Sequence, residues 1–464
     1  MYELLKKLPP EYSEDLLPVI RTEFERAEKT LVIFDDDPTG TQTSYDVTVL
    51  TRWEVPLLVQ ALKKHPSVLF ILTNSRSLSK QKAIDLTLEI GNNLKQAVKE
   101  SGRQVIPISR SDSTLRGHFP YEVNAIAQSM GLKDAVWILL PAFIEGGRIT
   151  INDVHYLREQ DKLIPVAETP FAADKSFGYK NSDLKLWVQE KSNGEIKSEE
   201  VVSLSLELIR TGGPHAVRDL LTKCQSGNVC IINALSYKDI EVVARGLQLA
   251  ELEGKKFLFR TSATFIPIRA GMTSGKIYQP IKDKNWSQHG SLVVVGSYVP
   301  KSTSQLEYLL SQNTHQPIEI DVNKLLQINE KELADYAIHI IHQINELLLG
   351  KKDVVLFTSR TLEIGFDAES SLIINNQVAS FLVSIISEIT VRPSYIIAKG
   401  GITSSDIVSH ALHSQSAQVL GQALPGIPVW QLDEQSKFPG LTYVVFPGNV
   451  GDVKALSDLY RIFT

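Results

Sequence analysis

The sequence predicts two α/β domains built on mostly parallel sheets, with an interdomain cleft. Short apolar runs recur through the front half: LVIF at 31, VTVL at 47, VLFILT at 68, VIPIS at 105, VWILLP at 136, VCIINA at 229 and KFLFRT at 256. Helix-patterned stretches such as 79–100 and 238–253 separate many of them, the alternation expected of a parallel sheet covered by helices. After a break at IKDKNWSQHGS, near 280–291, a second series begins with LVVVGS at 292, DVVLFTS at 353, SYIIAKGG at 394 and LTYVVFPGN at 441. Helices are expected between these runs, near 302–312, 330–349, 370–390 and 404–413. The domains are therefore expected over 1–283 and 290–464.

Taken in order, the runs end in unusual turns. The first leads straight into Asp35, Asp36 and Asp37, then Pro38, Thr39 and Gly40. In an open α/β sheet the carboxyl ends of the strands face the ligand. Adjacent carboxylates repel, so such a cluster calls for a proton, a metal or a polar ligand. The run at 68 opens onto TNSRSLS with Arg76, and the run at 105 onto SRSDSTLRGH, 109–118. That second turn crowds Arg110, Ser111, Asp112, Ser113, Thr114, Arg116, Gly117 and His118 together. Guanidinium forks match carboxylates or phosphates, and hydroxyls match a polyhydroxy ligand. A fourth turn, PAFIEGGR at 141–148, adds Arg148. Four such turns suit a small, acidic, hydroxylated substrate. Residues 168–200 are polar and read as partly irregular.

The second domain is rich in glycine and poor in charge. GSYVPKSTSQ at 296–305, KGGITSSD at 399–406 and FPGNVGD at 446–452 each follow a strand. Glycine lets backbone N–H groups approach oxyanions, so three such turns suggest a nucleotide or phosphate cradle. Ser404 or Ser405 also suits a helix cap. Neither GxxxxGKS/T nor GxGxxG follows a strand.

The bulk numbers exclude several classes. With 464 residues, 43% hydrophobic and 22% charged, the composition suits a soluble globular chain. A net charge of −5 gives no reason to expect nucleic acid or an anionic membrane as partner. No stretch approaches 18 uninterrupted apolar residues, and the lead-in MYELLKKLPPEYSEDLL lacks a signal-like apolar run. Cys224 and Cys230 are the only cysteines, too few for a disulfide framework, so a reducing cytoplasmic setting is expected. His339 with His342, and His410 with His413, read as helix-face pairs. His118 alone is a site candidate among the histidines.

These segments together resemble the four-carbon acid sugar kinase family, or a divergent branch of it. Asp36-Asp37-Pro38-Thr39-Gly40-Thr41 is similar to the family's ADDxTGA motif, and residues 110–117 to KxDSTLRG with Arg110 in place of Lys. Pro141-Ala142-Phe143 and Gly147-Arg148-Ile149-Thr150 resemble a further pair of family segments. Gly296-Ser297, Gly400-Gly401-Ile402-Thr403-Ser404 (family GGETS) and 446–451 (family KxGNFG) complete the likeness, spread over nearly the whole chain in order.

The resemblance implies a first domain that binds a four-carbon sugar acid, a second that binds ATP, and transfer of the γ-phosphoryl group to a substrate hydroxyl. Asp37 is assigned the catalytic base, with Asp36 behind it. Arg76 and Arg116 hold the substrate carboxylate, and Asp112 orients hydroxyls. Thr39, Ser113, Thr114, His118 and Arg148 complete the substrate set. Ser297, Gly400, Gly401, Thr403, Gly448, Asn449 and Gly451 form the nucleotide set. Mg²⁺ is expected with the ATP, its protein ligands unassigned; the partner is a small sugar acid, and a homo-oligomer is left open. Ile402 and Phe446 stand where the family has Glu and Lys, removing charge from the expected ATP site.

Two other readings compete. Asp35-Asp36-Asp37-Pro38-Thr39 also fits the hhhhDxDxT pattern of a haloacid-dehalogenase-type phosphatase, with Asp35 as nucleophile, Asp37 as acid/base and Thr73 in a second motif. No later Asp-Asp metal motif follows an apolar run in the first domain, and the glycine turns stay unexplained. A catalytically weak sugar-acid-binding protein is the non-enzymatic alternative, favoured by Ile402 and Phe446.

Overall fold

Strand β1 (Lys29–Asp35) is buried on both faces from Thr30 onward, which is why its apolar residues run without alternation. The same holds for β3 (Val68–Leu72) and, later, β5 (Val136–Leu140), both buried throughout. In the computed structural model, residues 8–160, 162–273, 275–280, 288–297, 299–360, 368–448 and 450–464 are described. They fall into two units, Met1–Ser274 and Gly275–Thr464. Residues 281–287, where the sequence suggests a break, lie outside the described residues.

In the first unit β1, β2 (Val47–Leu50), β3, β4 (Gln104–Arg110), β5, β9 (Val202–Leu204), β10 (Val229–Ile232) and β11 (Phe257–Thr261) form a sheet in the order β2-β3-β1-β4-β11-β5-β10-β9. Every described pairing among them is parallel. Register fixes the site: Asp35 lies opposite Leu72 and Arg110, Arg110 opposite Thr261, and Thr261 opposite Leu140. The turns after five strands therefore emerge along one edge. The chain passes from β1 to one side for β3 and to the other for β4, so the topological switch lies at β1, where α/β sheets open a ligand crevice.

Helix Lys80–Ser101 covers this sheet through a stripe of Ala83, Thr87, Ile90, Leu94 and Ala97, the spacing of one helix face. Gly91 lies in the same stripe because a Cβ there would fall 2.0 Å from Ser129 Oγ. Phe119 and Trp187 stack at 4.8 Å within the core. Two features go beyond the sequence reading. A small antiparallel sheet, β6 (Arg148–Ile151), β7 (Val154–Glu159) and β8 (Lys162–Pro165), follows the fourth turn. The polar stretch 168–200 contains a helix, Leu184–Lys191, capped by Asp183 accepting from Lys185 N and Leu186 N.

In the second unit β12 (Leu292–Val295), β13 (Gln316–Ile320), β14 (Val354–Thr358), β15 (Tyr395–Lys399), β16 (Ser416–Leu424), β17 (Ile427–Leu432) and β18 (Thr442–Phe446) are ordered β13-β14-β12-β15-β18-β17-β16. The first five of that order pair in parallel, and β17 joins β18 and β16 antiparallel. The helices Pro300–Ser311, Glu330–Leu349 and Ala368–Glu388 fall where expected. The last expected helix begins earlier, at Gly401, and runs as Gly401–Asp406 into a wider turn, Ile407–Ala411. Ser404 is inside it rather than at its cap: its hydroxyl donates to Ala398 O and Gly400 O.

Candidate functional site

At the edge of the first unit's sheet the three consecutive carboxylates have different surroundings. Asp35 Oδ1 lies 3.2 Å from Arg110 Nη1, and its side chain is 1% exposed. A Cβ at Gly40 would fall 2.0 Å from Asp35 Oδ1, so glycine is required where the next turn closes over this carboxyl. Burial, against the pull of Arg110, pushes Asp35 well above the usual carboxylate range.

Asp36 is also buried, but its side chain is held by two guanidiniums and a hydroxyl. It takes Arg110 at 3.4 Å, Arg76 at 3.4 Å and the Ser111 hydroxyl at 2.7 Å. Asp37 is the outermost of the three, 20% exposed, with Arg76 Nη2 2.8 Å from its Oδ2. Its other oxygen accepts from Thr39 N at 2.8 Å, which caps the turn Pro38–Thr43. Burial alone would raise Asp37; Arg76 and then Arg110 outweigh it and hold the carboxyl below 3.8.

Arg76 is the hub. Besides Asp36 and Asp37 it meets Asp112 at 3.4 Å. Asp112 in turn binds Arg116 Nε at 2.8 Å and accepts from the Thr114 hydroxyl. Its burial is more than offset by Arg116 and Arg76, which hold it far below the usual carboxylate range. Arg116 extends onward, lying 3.7 Å from Asp174 and 5.1 Å over the Phe171 ring. Gly117, at φ +121, leaves no room for a side chain: a Cβ would fall 2.5 Å from Ser111 Oγ.

The other expected residues surround this core. Ser113 offers its carbonyl to His155 Nε2 at 2.8 Å. His118 Nε2 lies 3.1 Å from the Ser75 carbonyl, with its ring edge-on to Phe177. Its imidazole faces inward. Arg148 donates to Gly146 O at 2.6 Å, and its charge acts on Asp112 and Arg116.

Two residues that sequence reasoning passed over belong here. Arg260, buried on β11, donates to Asp112 O at 2.8 Å and Arg116 O at 3.2 Å, pinning both ends of the DSTLR turn. Burial lowers it to about 10. The signal was an arginine inside the apolar run KFLFRT. Glu122 accepts from Ser75 Oγ at 2.5 Å, and burial, then the Asp36 charge, push it up to about 7.

In the second unit the glycine turns meet through register. Val295 is opposite Lys399, and Lys399 opposite Phe446, so Gly296, Gly400 and Pro447 follow three neighbouring strands. Gly400 has φ +119, and a Cβ there would lie 3.1 Å from Ser297 Cβ. The Thr403 hydroxyl fills the space beside two glycines: a Cβ at Gly296 would fall 2.4 Å from it, and one at Gly400 3.3 Å. Ser302 Oγ links the other turns, 3.1 Å from Ser297 Oγ and 3.3 Å from Gly448 O. Gly401 opens its helix, and Gly451 has φ +81 beside Ala455. Asn449 and the Ile402 side chain lie outside the described residues.

Basic side chains nevertheless reach these turns, from residues the sequence reading did not single out. Lys399 Nζ lies 3.6 Å over the Phe446 ring. Arg360 Nη1 donates to Ser297 O at 2.8 Å, and its Nη2 to Val295 O at 3.3 Å and to Thr358 O. The lysine was legible as the last residue of YIIAK, directly before the glycines. Arg360 was not, since it acts from beyond β14.

Among the described residues no helix is long and apolar enough to cross a membrane. Both cysteines are free and buried.

Residues 31–267 match a family described as a sugar-binding N-terminal domain, and residues 292–456 one described as a nucleotide-binding C-terminal domain. No curated protein matches the chain. A Salmonella typhimurium LT2 structure, provisionally named a tRNA synthase, is similar with a TM-score of 0.69 at 16% identity, over 94% of this chain and 100% of the other. Haemophilus influenzae protein HI1011, from a family of unknown function, is similar with a TM-score of 0.61 at 16% identity and the same coverage. At such identity these likenesses speak for a shared fold. The paired sugar-binding and nucleotide-binding matches, in that order along the chain, show that it belongs to the four-carbon acid sugar kinase family.

Proposed function

We propose that the protein is an ATP-dependent kinase that phosphorylates a hydroxyl of a small, four-carbon sugar acid or its 3-oxo derivative. The observation that carries this reading is the partly exposed array Asp37–Arg76–Asp112–Arg116 at the switch-point edge of a domain of the sugar-binding family. Arg76 and Arg116 would take the substrate carboxylate, since each guanidinium already binds carboxylate oxygens. Asp112 would accept from substrate hydroxyls. Asp37, the outermost carboxylate, would accept the hydrogen bond of the attacking hydroxyl and take its proton as the bond to phosphorus forms. A carboxyl held this low is a weak base, which suits a loose transition state where positioning and charge neutralisation do most of the work.

In this reading the nucleotide phosphates lie on the turns after β12, β15 and β18, within reach of Ser297, Gly400, Gly401, Thr403, Gly448 and Gly451. Asn449 belongs to the same proposed set. Mg²⁺ neutralises phosphate charge when it comes with the nucleotide. The described carboxylates Asp36, Asp37 and Asp112 are held by guanidiniums, a donor set that does not fit a resident ion. Among the described residues no group of three or more His, Cys, Asp or Glu side chains could hold one.

Asp35, the nucleophile a dehalogenase-type phosphatase would need, is sealed under Gly40 and held by Arg110. The reading is tested by steady-state ADP release over a panel of four-carbon acids and 3-oxo acids, with a nucleotide-free phosphate ester as control. ADP release that depends on one acid supports it. Hydrolysis of the ester without nucleotide would favour the phosphatase, and nucleotide binding without turnover on any acid would favour a binding protein.

A further inference from the structure

Lys399 is fully buried, yet among the described residues it has no ion pair. Its Nζ donates to Pro447 O at 2.7 Å and Gly448 O at 3.4 Å, and the Phe446 ring closes the remaining side at 3.6 Å. All three partners lie on the chain leaving β18, so the side chain ties the end of one strand to the loop after its neighbour. In a trans peptide the carbonyl and the following N–H point in opposite directions. Anchoring the Pro447 carbonyl inward on Lys399 therefore turns the Gly448 N–H outward, the orientation an oxyanion requires.

Two carbonyl dipoles and an aromatic face give a buried ammonium only part of what water would. The charged groups around it do not add to this. Lys301, on helix Pro300–Ser311, repels it. Arg360 is spent on the carbonyls of Val295, Ser297 and Thr358. Asp406, on the helix after Gly400, acts on Tyr443 and His410. Burial and then Lys301 lower Lys399 to about 6. The amine is thus mostly neutral at physiological pH, and polyanionic phosphates arriving at these turns would reverse the balance.

We propose that Lys399 is a positioning residue that anchors the 447–448 loop and takes a proton from solvent onto Nζ when nucleotide phosphates bind there. The inference rests on the nucleotide-binding part of the proposed function and deepens it. It is tested by isothermal titration of the full-length protein with Mg²⁺-adenylyl imidodiphosphate at pH 8, where that ligand is fully ionised, in buffers of different ionisation enthalpy. Wild type is expected to take up close to one proton per nucleotide bound. Lys399→Met, which keeps the buried volume, should fold as stably as wild type, bind about tenfold more weakly or worse, and take up none. Lys399→Arg, charged throughout, should restore binding without proton uptake. Buffer-independent heats for wild type would overturn the proposal even if no variant folds, as would a Met variant with wild-type affinity and uptake. Failure of wild type to bind this nucleotide would instead remove the kinase reading, and this inference with it.

Discussion

Asp37→Asn separates the proposed base from the fabric that holds it. The substitution keeps an acceptor for Thr39 N, now 2.8 Å from Oδ1, so the turn cap survives. It removes the charge 2.8 Å from Arg76, but Arg76 retains Asp36 and Asp112, each at 3.4 Å. The pair is half-buried, between the exposed limit of ~0–1 kcal/mol and the buried limit of ~3–5 kcal/mol, so a loss of about 1–2 kcal/mol is expected. The variant should therefore fold. Its turnover should fall ~10²–10⁴-fold, the range for a lost general base, with little change in KM for the acid. ADP release measures turnover and KM, and thermal melting measures the stability loss. The pH dependence gives an internal check: Asp37 is lowered in the fold, so its stabilisation is complete above the unfolded value of 3.8 and is lost as pH falls through the folded one. The melting gap between wild type and variant should close in acid. Near-normal turnover in a folded variant would refute the assignment.

Asp35→Asn should behave oppositely: burial raises this carboxyl in the fold, which weakens the fold above the unfolded value of 3.8, so with the acid removed the melting temperature at pH 7 should rise and activity should persist. Loss of activity would point to Asp35 chemistry instead. Glu122, at about 7 in the fold against 4.5 ordinarily, contributes stability that is full in acid and lost between those values, about 3 kcal/mol in all. Denaturant titrations near pH 5 and pH 8 should show that loss in wild type and a flatter response in Glu122→Gln. Gly400→Ala, forced to φ +119 with its Cβ 3.1 Å from Ser297, should incur ~1–3 kcal/mol of strain and weaken nucleotide binding while sugar-acid binding is unchanged. Paired calorimetric titrations would check it.

The parallel strands were legible because full burial writes itself as unbroken apolar runs, as in VLFIL and YIIA. Strands β9, β13, β16 and β17 were not; β9 is only three residues long and half-buried. Gln316–Ile320 alternates exposed and buried positions at the sheet edge, and the β16–β17 hairpin carries glycine and irregular register. The hairpin β6–β8 was masked by its polar, partly exposed residues. In the site, the turns announced themselves by composition, and register then set them side by side. Composition did not reveal which of the three aspartates faces outward. That depends on Gly40 closing over Asp35 and on Arg110 reaching inward, both tertiary facts. Arg260 and Lys399 were visible as basic residues at or next to the ends of apolar strands, a pattern whose burial cost should have flagged them.

The most direct test is to follow the acid itself. Incubating the protein with Mg²⁺-ATP and single four-carbon acids, with mass spectrometry of the products, should show one acid gaining a phosphoryl group in step with ADP. ADP formed without a phosphorylated acid, or no product from any acid of the panel by a protein that binds both ligands, would contradict the account.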